Sequence, residues 1–142
     1  MSTHENRAVE AEVQSAVVGY LAPFLEKFHE PPVIWPGGDL VISGVASKED
    51  GGRTLVLRLV YDHERRLAFI PNIFMQHQQL GKCTIALIRD TLAQFGYQLF
   101  VTDLVAGFYR RLVARGATII EEGETVLITS ETKLSGEAPS VA

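Results

Sequence analysis

Sulfur is scarce in this chain: its 142 residues include one cysteine and two methionines. A lone cysteine excludes an internal disulfide and fits a reducing compartment. Long apolar runs are missing too, and nothing approaches the roughly 18 residues that a bilayer-spanning helix needs. The opening MSTHENRAVEAEV carries charges where a secretory signal needs an apolar stretch. A cytoplasmic, soluble protein with no membrane partner is the expectation. Basic excess is also absent. Thirteen Lys and Arg face 17 Asp and Glu, for a formal net charge of −4. That balance argues against a broad nucleic-acid footprint, though not against a local basic patch.

Apolar residues, by contrast, are plentiful at 46% of the chain, enough for a core at a length typical of one domain. The spacing of Val9, Val13, Val17, Leu21, Leu25 and Phe28 predicts a helix over Glu5–Phe28, with Pro23 kinking it or starting a second helix. Pro31 to Pro36 reads as an extended connector anchored by Trp35. Leu40–Ala46 and Arg53–Tyr61 read as paired strands around Glu49-Asp50-Gly51-Gly52. The second is apolar on both faces and so belongs in the middle of a sheet. Asp62 to Arg65 turns the chain into a strand over Leu67–Met75, where Pro71 and Asn72 predict a bulge or an unpaired stretch.

A helix follows over Thr84–Phe95, closed at Gly96, then a short buried strand over Gln98–Thr102. Asp103 can cap a helix over Leu104–Arg115, which Gly116 ends. Ala117–Ile120 and Thr125–Thr129 form a last hairpin around Glu121-Glu122-Gly123-Glu124. The reading is one domain over residues 1–130 and a disordered tail over 131–142. There is no internal repeat.

The segment Gln78 to Ala86, QQLGKCTIA, joins a predicted strand to a predicted helix. A strand, a turn at glycine and a helix start can hold an anion, because the first N–H groups of a helix are unpaired and sit at the positive end of its dipole. Gly81 lets the backbone approach a phosphate, and Lys82 adds charge. Downstream lie Phe108-Tyr109-Arg110-Arg111-Leu112 and Arg115-Gly116-Ala117.

Together these segments resemble the GNAT acyltransferase superfamily over roughly Leu67 to Ser130. The family reads Gln/Arg-x-x-Gly-x-Gly/Ala in its pyrophosphate loop, against Gln78-x-x-Gly81-x-Cys83 here. It often ends its next helix Phe-Tyr-x-x-x-Gly-Phe, against Phe108-Tyr109 and the later Arg115-Gly116-Ala117. The resemblance implies an α/β fold, a mixed central sheet of about six strands flanked by helices. The family's usual opening strand is missing here, or short within Pro32–Pro36.

The resemblance further implies an acyl-coenzyme A cosubstrate, most simply acetyl-coenzyme A, and no metal. The cosubstrate would lie where the strands Leu67–Met75 and Gln98–Thr102 part. Backbone groups of Ile73 and Met75 would pair with the pantetheine amides. Gln78 and the N–H groups of Gln79, Leu80, Gly81, Lys82 and Cys83 would hold the pyrophosphate. Tyr109 matches the tyrosine that protonates the leaving thiolate, competing with a reading as a packed helix aromatic.

Several positions depart from the pattern. Cys83 replaces a smaller residue and reads first as a packing residue, second as a thiol of lowered pKa at a helix start. Gln78 stands where arginine is common, and Thr102 stands where asparagine is frequent. The expected strand before the loop carries no carboxylate to act as base. Asp62 and Glu64 precede that strand and read as solvated, and His77 reads as a loop histidine or a base acting through water. Arg110, Arg111 and Arg115 read as a solvated helix face or as a contact to an anion. Two functions follow: an N-acyltransferase acting on an amine, or a binding module that keeps the fold without turnover. An uncovered sheet edge would also allow a homodimer.

Overall fold

In a computed structural model the described residues build one seven-stranded sheet with three helices. The structure describes residues 3–25, 33–34, 39–45, 54–74, 78–102, 104 and 106–134. Helix α1 spans Thr3–Leu25 and precedes strands β1 (Val33–Ile34), β2 (Leu40–Val45), β3 (Thr54–Asp62) and β4 (Leu67–Phe74). Helix α2 (Gln78–Ala93), β5 (Gln98–Val101), α3 (Ala106–Ala114), β6 (Thr118–Glu121) and β7 (Thr125–Ile128) complete the order. Trp35, the Glu49–Gly52 turn, Met75, His77 and Asp103 lie outside the described residues.

The sheet order is β1-β2-β3-β4-β5-β7-β6. The α/β class and the mixed central sheet are as expected from the sequence. Of the two alternatives for the opening strand, lost or short within Pro32–Pro36, the second matches β1, which follows α1 and pairs antiparallel to β2 through Val33↔Ser43 and Ile34↔Ile42. It brings the described strands to seven rather than about six. β3 is central as its composition demands, between β2 and β4.

Side-chain alternation assigns one sheet face to the core. Leu40, Ile42, Leu57, Leu59, Ala68, Ile70, Leu99, Val101, Val126 and Ile128 are all buried on it. α1 closes part of this face with a stripe of Val9, Val13, Val17 and Leu21, and no second helix begins at Pro23. A proline this near the C-terminus forfeits one i→i−4 bond in the last turns only. α2 packs beside α1 and buries Ile85, Ile88 and Leu92 completely. Each such side chain stabilises the fold by roughly 1.5–3 kcal/mol. Among the described residues no helix is long and apolar enough to cross a membrane.

Both crossover helices stop in the same way. Tyr97 donates its N–H to the Leu92 carbonyl (3.1 Å) past Gly96 at φ 79°, and Ala117 donates to Leu112 (3.0 Å) past Gly116 at φ 98°. These six-to-one bonds satisfy helix carbonyls and need a left-handed residue, which glycine supplies. The chain after β7 is then clamped between the helices. Arg89 Nη1 on α2 donates to the carbonyls of Thr129 (3.0 Å) and Thr132 (2.8 Å). Arg115 Nη1 donates to the Lys133 carbonyl (2.8 Å), and the Lys133 N–H returns to the Arg115 carbonyl (2.8 Å).

Residues 131–134 are therefore packed rather than part of a disordered tail, and Leu134 is 2% exposed in the core. Residues 135–142 lie outside the described residues.

Candidate functional site

β4 and β5 form the one parallel pair of the described sheet, and they part company midway. Their register runs Leu67↔Gln98, Ala68↔Leu99, Phe69↔Phe100 and Ile70↔Val101. A last bond joins the Thr102 N–H to the Ile70 carbonyl (3.0 Å). Beyond it β4 stays with β3, through Asn72↔Arg58, Ile73↔Leu57 and Phe74↔Val56. The chain after β5 turns the other way, and the Leu104 N–H reaches the Glu124 carbonyl (3.2 Å) in the last hairpin.

The parting coincides with a bulge. Phe69 faces Val60 and Asn72 faces Arg58, so Ile70 and Pro71 together oppose one residue, Leu59. This is the irregularity that Pro71 and Asn72 predict. It turns Ile73 onto the core-facing side, where it packs against the buried cluster. The result is a gap at the C-terminal ends of two parallel strands, with the starts of α2 and α3 beyond it. In open α/β sheets this is the position where ligands bind.

The predicted site residues lie on β4, α2 and α3. Ile73 borders the gap directly, while Met75 and His77 lie outside the described residues. Gln78, Gln79 and Leu80 form the first turn of α2. The helix thus begins six residues before the predicted start at Thr84. The spacing of an α-helix directs the N–H groups of Lys82 and Cys83 at the carbonyls of Gln78 and Gln79, so they are committed to the helix. Only first-turn amides remain open to an anion.

Gly81 is buried in the second turn. Lys82 and Cys83 leave α2 toward different neighbours. The ammonium of Lys82 is held below its ordinary pKa, first by burial and then by Arg115 and Arg111. Cys83 hydrogen-bonds the hydroxyl of Tyr20 on α1, whose pKa is raised mainly by burial. The thiol is therefore engaged between helices. Tyr109, on α3, is half-buried and packs against the core.

The three arginines do not form one solvated face. Arg110 and Arg111 are exposed, and Arg111 lies 5.8 Å from the Phe108 ring centroid. Arg115 is only 3% exposed and holds the segment after β7. Of the two carboxylates before β4, Asp62 accepts the Arg65 N–H (3.2 Å) and Glu64 is exposed.

Sequence reasoning missed a polar cluster at the opposite end of the sheet. His63 Nε2 lies 2.8 Å from Glu10 Oε1 on α1, and His63 Nδ1 lies 2.6 Å from the Tyr97 hydroxyl just before β5. In the tautomer with its proton on Nε2, the ring donates to Glu10 and accepts from the Tyr97 hydroxyl. Tyr61 stacks on the His63 ring at 4.9 Å and 8°. The partners are 53 and 34 residues apart in sequence, so no local signal joins them. The cluster ties α1 to the sheet at the N-terminal ends of β4 and β5. Among the described residues no group of His, Cys, Asp and Glu is arranged to hold a metal ion.

No family model matches the chain, and comparison with curated proteins and solved structures finds no significant match either.

Proposed function

We propose that this protein transfers an acyl group, most simply acetyl, from coenzyme A to an amine. The observation that carries this reading is the parted parallel pair. Among the described residues β4 continues past Ile70 with its ladder on the β3 side only, and α2 begins four residues after β4 ends. An extended ligand carrying amides can pair with the free side of such a strand. A ligand carrying phosphates suits the helix start. Acyl-coenzyme A carries both, at opposite ends of one pantetheine arm.

In this reading Ile73 and Met75 offer backbone groups to the pantetheine, and a backbone N–H near Ile73 serves the oxyanion. Gln78, Gln79 and Leu80 receive the pyrophosphate. Gly81, Lys82 and Cys83 lie behind that first turn, within α2. Tyr109 would protonate the departing thiolate while the amine attacks the thioester carbon. The amine must arrive neutral, because no carboxylate stands on β4 to deprotonate it.

A second reading is favoured by that same missing base and by the commitment of the Lys82 and Cys83 amides to the helix. In it the gap binds coenzyme A or a protein segment and catalyses nothing.

Calorimetric titration with acetyl-coenzyme A and with free coenzyme A tests the reading. The informative variant is Gln79→Glu. A carboxylate in the first turn suits the helix dipole and spares the fold, yet repels a pyrophosphate. Gly81 is less useful because it is buried. Micromolar binding weakened at least tenfold by Gln79→Glu supports the site. Binding that survives the change removes the helix start from it, and no binding at millimolar ligand removes the acyltransferase reading. Where binding holds, Tyr109→Phe should slow turnover of an amine substrate far more than it changes affinity.

A further inference from the structure

Tyr97 belongs both to the His63 cluster and to the wall of a half-open cavity of about 150 Å³ at the N-terminal ends of β4 and β5. The cavity is lined by Glu5, Ala8 and Val9 of α1, by Arg66 in the turn before β4, and by Phe95 and Tyr97 on either side of Gly96. Val9 and Tyr97 are buried and Phe95 packs against the core, so the walls are apolar. The Tyr97 hydroxyl bonds His63 and His63 bonds Glu10, which fixes the phenol ring in place. A wall already held in position costs little to order when a ligand arrives.

The rim carries one charge of each sign, because Arg66 and Glu5 are both exposed. Both act on the Tyr97 phenol. Its pKa is raised first by burial, pulled back by Arg66, and pushed up further by Glu10 and Glu5. Arg66 holds φ 56°, a left-handed conformation that asparagine or glycine takes at less cost. Its Nη1 lies close to Gly96, where an added Cβ would be 3.4 Å away. The chain thus keeps a guanidinium at this rim against its own backbone preference, and strain of that kind gathers at ligand sites. A small acid alone would meet the Glu5 carboxylate, and a small amine alone would meet the Arg66 guanidinium. A zwitterion suits both.

We propose that this cavity binds a small aliphatic α-amino acid, with its carboxylate on Arg66, its ammonium on Glu5 and its side chain between Val9, Phe95 and Tyr97. Apolar cavities of roughly this size take a guest as large as benzene, so the side chain of valine or leucine fits and an indole does not. Apolar walls with a few placed polar groups are the usual make-up of a small-molecule site. The cavity lies at the other end of β4 and β5 from their parting, so it is separate from the site proposed for the acyl donor.

Calorimetric titration of the full chain with L-leucine tests the proposal. The dissociation constant should be about 1 mM or tighter. Isovalerate lacks the ammonium and isopentylamine lacks the carboxylate, and each should bind at least tenfold more weakly. Arg66→Asn removes the guanidinium while easing the backbone, and should weaken leucine binding at least tenfold. Ala8→Leu, at an exposed helical position, fills the cavity and should abolish binding. Circular dichroism confirms that both variants keep the fold. No binding at tens of millimolar L-leucine overturns the proposal. Leucine binding that both variants leave unaltered places the amino acid elsewhere and overturns it too, as does isovalerate binding as tightly as leucine.

Discussion

Deleting a single oxygen atom should have opposite effects at Tyr61 and Tyr97. The hydroxyl of Tyr61 is buried and finds no hydrogen-bond partner among the described residues. Its ring stacks on His63, so Tyr61→Phe keeps the stack and removes only the stranded oxygen. An unpaired buried polar group costs about 1–3 kcal/mol, so the variant should gain roughly 1 kcal/mol or more of stability. Tyr97→Phe removes a hydroxyl that does have a partner, His63 Nδ1 at 2.6 Å. It should lose about 1 kcal/mol for the bond, and more if the imidazole nitrogen stays dry.

Urea unfolding followed by circular dichroism measures both, with an unchanged slope showing that the midpoint shift reports stability. The pH dependence gives a second check. Burial, then the charges of Glu10, Tyr97 and Asp39, raise the Tyr61 pKa, and burial raises that of Tyr97. The folded chain therefore holds these protons above the ordinary phenol value of about 10, where the unfolded chain releases them. Stability present below pH 10 is lost as pH rises past it, and Tyr61→Phe should flatten that loss. If Tyr61→Phe instead lowers stability by 1 kcal/mol or more, the hydroxyl has a partner in solution and the accounting fails.

Two further predictions concern the backbone. Gly116→Ala should cost about 1–2 kcal/mol: its φ is +98°, and an added Cβ would sit 3.2 Å from the Glu131 carbonyl oxygen. A thermal melt reads the loss, and an unchanged midpoint would deny that Gly116 fixes the segment after β7. Arg66 holds φ 56° in the turn between β3 and β4. Asparagine accepts that region more readily, so Arg66→Asn should gain roughly 0.5–1 kcal/mol in the same assay, and a loss would mean that the arginine side chain outweighs its backbone strain.

The parts of the fold legible in the sequence are those with local causes. Asp62, Gly96 and Gly116 end elements where the chain must reverse, and each does so here through bonds a few residues long. Pro71 announces the bulge because it lacks an N–H. The start of α2 was misplaced because Gly81 reads as a loop residue. Glycine inside a helix costs only about 1 kcal/mol relative to alanine, and burial against the sheet can offset that. Leu134 looked like tail because its neighbours are small and polar, yet it fills a space in the core that only the folded sheet defines. The Glu10–His63–Tyr97 cluster had no chance of being read, since three distant segments meet only after the sheet forms. A parting of β4 from β5 is an expectation that rests on resemblance alone. Its physical cause, a bulge coinciding with the last parallel bond, needed the register.

The sheet has two openings, and they differ in their neighbours. The inner one lies between β4 and β5, where Pro71 disrupts the ladder and the first turn of α2 supplies unpaired amides. Backbone polar groups facing such a gap need partners, from water or from a ligand. A peptide strand would satisfy the β4 backbone but would leave the α2 amides without an anion, whereas a ligand with amides at one end and phosphates at the other satisfies both. The outer opening is the free side of β6, whose four residues are all exposed, Ile119 and Ile120 among them. In the reading proposed above, the same backbone accounting favours a small anionic ligand over a peptide strand at the inner gap, and Gln79→Glu separates the two, since a strand that pairs with β4 needs no anion site at the start of α2.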